Sequence, residues 1–164
     1  MGASIGIDRV VENINRLIYA ATPVNRYATF FYGQYDPAVC RLTYVNAGHN
    51  APIVLHKQHS RRECVRLKTG GPPVGLFPQA KYDSGEIDLQ PGDLIVLFTD
   101  GMSEAMNAAE EEWGECRLIG EVVNSPCGCP AEAVEALFRG ADAFTAGAPQ
   151  HDDMTVVVLL KTDP

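Results

Sequence analysis

An α+β fold, built from two antiparallel β-sheets packed as a sandwich and flanked by helices (α-β-β-α), is predicted by three features of the 164-residue sequence. A helix-patterned segment opens the chain, and a second helical region comes shortly before the end, with strand-like segments between and after. Those strand-like segments come in pairs separated by short turns, as in antiparallel hairpins. Two of them, "LIVLF" (94–98) and "MTVVVLL" (154–160), are apolar throughout save for Thr155. In an antiparallel sheet such strands need cover on both faces, which sheets inside and helices outside would give them.

Each element has its local reason. In the first helix Val10, Ile14, Leu17 and Ala21 share one face, with Val11 and Ile18 beside them, and Pro23 ends it. "RYATFFYGQYD" (26–36) is rich in aromatic residues and Thr, "DPAVC" (36–40) is a turn opened by Asp-Pro, and "RLTYVNA" (41–47) is the hairpin partner. "PIVLH" (52–56) and "CVRL" (64–67) pair around the polar loop "KQHSRR". "GGPPVGLFP" (70–78) is too rich in Gly and Pro to be regular, and is read as a rigid crossover between the sheets in preference to a flap. "GEIDL", "QPGD" and "LIVLFTD" form another strand–turn–strand unit. Residues 102–146 are helical in character, with Pro130 placed as the first residue of a helix over "AEAVEALFRGADAF".

Composition removes several classes of function. The net charge is −8 and the only basic cluster is Arg61-Arg62, which argues against a nucleic-acid-binding face. No apolar run approaches the roughly 20 residues of a membrane span, so no membrane insertion is expected. No signal peptide is visible, and five cysteines without framework spacing read as reduced thiols of a cytoplasmic protein.

The chemistry is concentrated where apolar strands meet acids. Asp100 follows "LIVLFT", while Asp152 and Asp153 precede "MTVVVLL". If the two strands are antiparallel neighbours, the end of the first lies beside the start of the second and the three acids share one rim. Clustered carboxylates repel unless a proton or cation sits between them, and hard divalent cations take such oxygen ligands. Gly101 lets the backbone come close to whatever Asp100 binds. A plainer alternative stands beside this one: Asp100 opens a turn and caps the helix beginning near Met102 or Ser103, with Asp152 and Asp153 merely solvated.

"LFTDGMSEAMN" and "HDDMTVVVLL", preceded by "FFYGQYDPAVCRLTYVNAGHNAPIVL" and "GGPPVGLF", resemble the metal-dependent PPM-type serine/threonine protein phosphatases. The resemblance is to the bacterial SpoIIE-like branch, which includes RsbU-type regulators of alternative sigma factors. It covers nearly the whole chain, with four blocks in the family's order. It implies a single phosphatase domain over 1–164, with a two-metal Mn²⁺ or Mg²⁺ centre at one rim of the sandwich. The acid of the family's T-D-G block falls on Asp100 and the first acid of its D-[DN]-x-[ST] block on Asp152, both metal ligands in the family. Gly101 would contribute its backbone, and Asp153, at a position that can be Asn, would support. Two metals would activate a water for in-line attack on a phosphoserine or phosphothreonine monoester of a regulatory protein, such as an anti-sigma-factor antagonist.

One departure is large. The family's leading G-D-x-x-D block, whose first acid bridges both metals, and its D-[VI]-S-G-x-G block have no counterpart here. The expectation is therefore an N-terminally truncated domain, its C-terminal two-thirds, that binds metal weakly, lacks activity alone and self-associates by pairing of a bared strand edge or by exchange of an element such as the first helix. A non-catalytic pseudophosphatase or dimerisation module is the alternative of a different class.

The remaining candidates carry less. His49 and Asn50 in "NAGHNAP" could shape a substrate-side loop, but Gly48 and Asn50 suit a tight turn and the turn reading is preferred. His56 with His59, and Cys127 with Cys129, lack the second ligand pair of a structural zinc site. Trp113 reads as a packing residue, and Glu110, Glu111 and Glu112 as a solvated face.

Overall fold

A computed structural model describes residues 5–23, 26–58, 61–125 and 129–163; His59 and Cys127 lie outside them. The elements run α1 (Ile7–Ala21), β1 (Phe30–Asp36), β2 (Arg41–Ala47), β3 (Ile53–Gln58), β4 (Arg61–Arg66), β5 (Gly70–Gly71), β6 (Gly85–Asp88), β7 (Leu94–Phe98), α2 (Asp100–Ser103), α3 (Glu115–Asn124), α4 (Pro130–Thr145) and β8 (Val156–Leu160). This is the mixed α+β class expected, with two four-stranded sheets. The chain forms two compact units, one of Met1–Ala51 with Leu67–Leu89 and one of Pro52–Arg66 with Gln90–Pro164.

In the first unit β2 is the central strand. It pairs antiparallel with β1 from Phe30↔Ala47 to Asp36↔Arg41, and antiparallel with β6 from Arg41↔Asp88 to Tyr44↔Gly85. The two-residue β5 joins it in parallel, a small exception to the antiparallel expectation. At the β1–β2 turn, Asp36 Oδ1 accepts the Ala38 N–H at 2.9 Å, which is why Asp-Pro marks the turn. The core here is Ile7, Val11, Val45, Ala47, Val74 and Tyr82.

Two expectations about this unit need correction. The buried face of α1 is Ile7, Val11 and Asn15, whereas Leu17 is 70% exposed. The apolar stripe misplaces the face because a polar residue sits at its centre. Asn15 is fully buried, donating from Nδ2 to the Phe77 carbonyl at 2.9 Å and accepting the Gly75 N–H on Oδ1 at 2.8 Å. A buried amide satisfied on both sides is stable where an unpaired one would be costly. The partner segment is the Gly-Pro stretch, which joins β5 to β6 within one sheet and does not cross between sheets. Two bonds of 2.9 Å between Ala28 and Val74 hold it as well. Gly75 has φ +85°, and a Cβ there would lie 2.7 Å from Ile18 Cγ2.

In the second unit the strand order is β4-β3-β7-β8, all antiparallel. Leu94, Val96 and Phe98 of β7 pack with Leu118 and Val122 of α3, Leu137 and Ala141 of α4, and Trp113, which is 2% exposed. The region 102–146 is less helical than its composition suggested, since residues 104–114 between α2 and α3 are irregular. Cys129 is the N-cap of α4 and Pro130 its first residue, as expected. The β6–β7 expectation fails, because β6 pairs with β2 in the first unit and β7 lies between β3 and β8. The "QPGD" turn is fixed by Asp93, 1% exposed, whose carboxylate accepts the N–H groups of Gln90 at 2.7 Å and Lys57 at 2.9 Å. His56 Nδ1 lies 2.7 Å from the same carboxylate, so His56 partners a buried acid.

β8 also departs from expectation. It is an edge strand among the described residues, and its burial alternates, leaving Val157 and Leu159 45% and 51% exposed. Continuous apolarity here marks β-branched packing on one face only; of these two strands it is β7 that has both faces buried along most of its length.

Asn15→Leu removes both hydrogen bonds and leaves the Gly75 N–H and Phe77 carbonyl without partners. The expected cost is about 2–4 kcal/mol, from one to two unsatisfied buried groups. Urea unfolding of the variant against the wild type measures it, and a loss under about 0.5 kcal/mol contradicts the clamp.

Candidate metal centre

The β7–β8 register runs from Leu94↔Leu160 to Phe98↔Val156, so the end of β7 lies beside the start of β8. The ladder continues one step further, with the Thr99 N–H donating to the Thr155 carbonyl at 3.1 Å. Thr99 then changes the pattern. Its hydroxyl accepts the Thr155 N–H at 2.9 Å and donates to the Asp153 carbonyl at 2.8 Å, using both its donor and its acceptor capacity. The chain before β8 is thereby drawn against the residue that precedes Asp100.

Gly101 explains how close the two segments come. A Cβ at this position would lie 2.5 Å from the Asp153 carbonyl oxygen and 3.1 Å from the Asp152 carbonyl carbon. The role expected of Gly101 is to let a ligand approach; what approaches it here is the 152–153 backbone itself. The structure thus brings together Asp100, Gly101, Asp152 and Asp153.

Asp100 is the first residue of α2, with its carbonyl accepting the Glu104 N–H at 2.8 Å and its Oδ1 accepting the Gly101 N–H at 3.0 Å. Asp152 Oδ1 accepts the Asp153 N–H at 2.7 Å, and the Asp152 carbonyl accepts from Gln150 Nε2 at 2.7 Å. The Asp100 and Asp152 carboxylates thus each have one oxygen tied locally, and the other meets no donor among the described residues. All three acids are exposed, and none forms an ion pair among the described residues. An all-oxygen donor set without a protein cation fits Mn²⁺ or Mg²⁺. Among the described residues no group of three or more His, Cys, Asp or Glu is arranged to hold a metal, so these acids make an incomplete cage. A cleft of about 80 Å³ adjoins them, lined in part by Gly101, Glu104, Met106, Gln150, His151 and Asp152.

His49 and Asn50 lie in the first unit, in a turn organised by Asn46. Asn46 Nδ2 donates to the carbonyls of His49 and Leu67, and its Oδ1 accepts the His49 N–H at 2.8 Å. Gly48 has φ +73°, and a Cβ there would lie 2.5 Å from the Pro73 ring, so the turn demands glycine. Sequence reasoning passed over Asn46 and Thr99; the visible signal for Thr99 was a hydroxyl residue directly between an apolar strand and an acid.

Solved structures share this architecture. The chain superposes on the PP2C domain of SiaA from Pseudomonas aeruginosa with a TM-score of 0.80 at 17% identity, covering 94% of this chain and 60% of that one. It matches the phosphatase domain of SpoIIE from Bacillus subtilis, presoaked with manganese, with a TM-score of 0.68 at 18% identity, covering 99% and 69%. The fold is that of PP2C phosphatase domains. More particularly, the chain belongs to the stage II sporulation protein E (SpoIIE) family, whose model matches residues 1–161. The phosphoserine phosphatase RsbU of Bacillus subtilis is 28% identical over 153 residues, 92% of this chain. The chain spans no more than 44% of the curated relatives it matches.

If Asp100 supplies a metal oxygen, Asp100→Asn weakens Mn²⁺ binding by about tenfold or more, the usual effect of losing a charged ligand or its close support. Calorimetric titration of both proteins tests this, and equal, tight binding by both sinks the assignment.

Proposed function

We propose that this chain is the ligand-bearing C-terminal part of a metal-dependent phosphoserine/phosphothreonine protein phosphatase domain that acts in bacterial signalling. The observation that carries the reading is the apposition of Asp100–Gly101 with Asp152–Asp153 at one strand end, in a chain of the SpoIIE family. Asp100 and Asp152 are the proposed ligands, Gly101 provides the close backbone, and Asp153 supports. The oxygen-only donor set favours Mn²⁺ or Mg²⁺, and the SpoIIE phosphatase domain that shares this fold was presoaked with manganese. When bound, such a cation lowers the pKa of a coordinated water and offsets charge on phosphoryl oxygens. The chain's own residues orient and hold: the β7–β8 pairing sets the spacing of the acids, and the adjoining cleft receives substrate beside them.

The proposed substrate is a phosphorylated regulatory protein, such as an anti-sigma-factor antagonist. Support comes from the SpoIIE-like wording of all four blocks and from a relative that is itself a phosphoserine phosphatase. No helix among the described residues is long and apolar enough to cross a membrane. The full-length protein is expected to release phosphate from such a partner in Mn²⁺ buffer and to lose that activity with EDTA or Asp152→Asn. Turnover that survives both contradicts the metal mechanism.

The 164 residues alone are proposed to be inactive and to self-associate. Two acids bind one cation loosely, and the free edge of β8 with exposed Val157 and Leu159 is a template for pairing with the β8 of a second copy. Sedimentation across a range of concentrations, with a phosphopeptide assay in Mn²⁺, examines both. Association should fall away in Val157→Lys, which places a charge on that edge; a strictly monomeric wild type overturns the claim. Turnover by the short chain that Asp100→Asn abolishes overturns the inactivity.

A further inference from the structure

We infer that the Thr99 hydroxyl is a positioning residue for the metal centre, fixing the backbone of the Asp152–Asp153 segment so that its acids meet Asp100. This rests on the metal reading above and deepens it by naming the group that sets the ligand geometry.

The geometry is specific. The last strand rung of β7–β8 is Phe98↔Val156, and the last backbone bond beyond it runs from the Thr99 N–H to the Thr155 carbonyl. Among the described residues, no backbone hydrogen bond ties Asp152 or Asp153 to β7 or α2. From the end of β7 the bond to this segment is made by a side chain: Thr99 Oγ1, at 2.8 Å from the Asp153 carbonyl and 2.9 Å from the Thr155 nitrogen. The Thr99 N–H and Oγ1 together make three bonds to residues 153–155, and the Asp153 carbonyl so held is the atom nearest a Cβ on Gly101.

The acids themselves oppose this arrangement. Asp100, Asp152 and Asp153 carry like charges without a protein cation, so in the absence of metal they favour separation. A fixed hydroxyl that accepts from one peptide and donates to another holds the segment in place before a cation arrives. Preorganisation of this kind raises affinity by lowering the ordering cost at binding. Threonine suits the position because its branched Cβ restricts χ1 and keeps the hydroxyl aimed.

The test compares wild type, Thr99→Val, Thr99→Ser and Asp100→Asn in the 164-residue chain. Mn²⁺ affinity is read from the EPR signal of the free aquo ion, and backbone order from hydrogen exchange at the Thr155 amide. Valine keeps the shape and loses both bonds, so its Mn²⁺ affinity is expected to fall about tenfold, the lower end for loss of an outer-shell partner. Its Thr155 amide should exchange faster. Serine restores both bonds and is expected to keep affinity within about threefold of wild type, well short of the tenfold loss of an outer-shell partner. Thermal unfolding identifies any variant that has lost its fold, and the serine variant then decides: affinity tenfold below wild type in a folded Thr99→Ser chain overturns the proposal. Wild-type affinity in Thr99→Val, with Asp100→Asn weakened, overturns the role of Thr99 and leaves the two-aspartate reading standing. A wild type that binds no Mn²⁺, or an Asp100→Asn chain that binds as wild type does, overturns both.

Discussion

The antiparallel pairing of β7 with β8 is the constraint on which the candidate centre depends. Strands of this kind set opposite ends side by side, so an acid after one and acids before the other become neighbours although they are some fifty residues apart in sequence. The register is held by apolar burial: Leu94, Val96 and Phe98 on β7 and Val156, Val158 and Leu160 on β8 pack with the helical core. A shift of one residue would turn these side chains to the opposite face. The polar chemistry at the rim is thus fixed by hydrophobic pairing several residues away, and neither Asp100 nor Asp152 needs to be buried to be placed.

Beyond the strands, single polar side chains secure the loops. Asn15 holds the Gly-Pro segment to α1, Asn46 builds the turn that carries His49, Asp93 closes the "QPGD" turn, and Thr99 holds the approach to β8. Asn15, Asn46 and Asp93 are buried, and each is matched to backbone donors or acceptors. Irregular backbone has to find its hydrogen bonds somewhere, and a short side chain with fixed geometry supplies them at little cost in rotamer entropy.

These same residues mark the limit of what could be read from the sequence. The hairpin of β1 with β2, the pairing of β3 with β4, the start of α4 at Pro130 and the apposition of the two acidic segments were all legible, because turn chemistry and apolar runs are local signals. The face of α1 was not, since its buried centre is Asn15 and hydrophobic periodicity counts only apolar positions. The partner of β6 was not, since a turn as tight as "QPGD" joins strands of one sheet as readily as strands of two. For β8, "VVVLL" looks the same whether one face or both are covered; only its place at the sheet edge decides. At the site, the acids stood out by type while Thr99 did not, because its role lies in two backbone contacts that no residue pattern encodes.

Charge links the site back to the whole chain. The protein carries a net charge of −8, and the three acids at the rim have no cationic partner among the described residues. On the function proposed, the substrate is a phosphate monoester that brings about two further negative charges at neutral pH. A rim of this composition repels such a group until a cation offsets its charge. On that reading a divalent cation held by these acids would serve twice, offsetting their repulsion of the phosphate and supplying Lewis-acid activation of water. This gives the acids a reason to remain exposed: a cation and a phosphate monoester would both have to reach them from solvent, and a carboxylate left in water loses none of its hydration before the cation arrives.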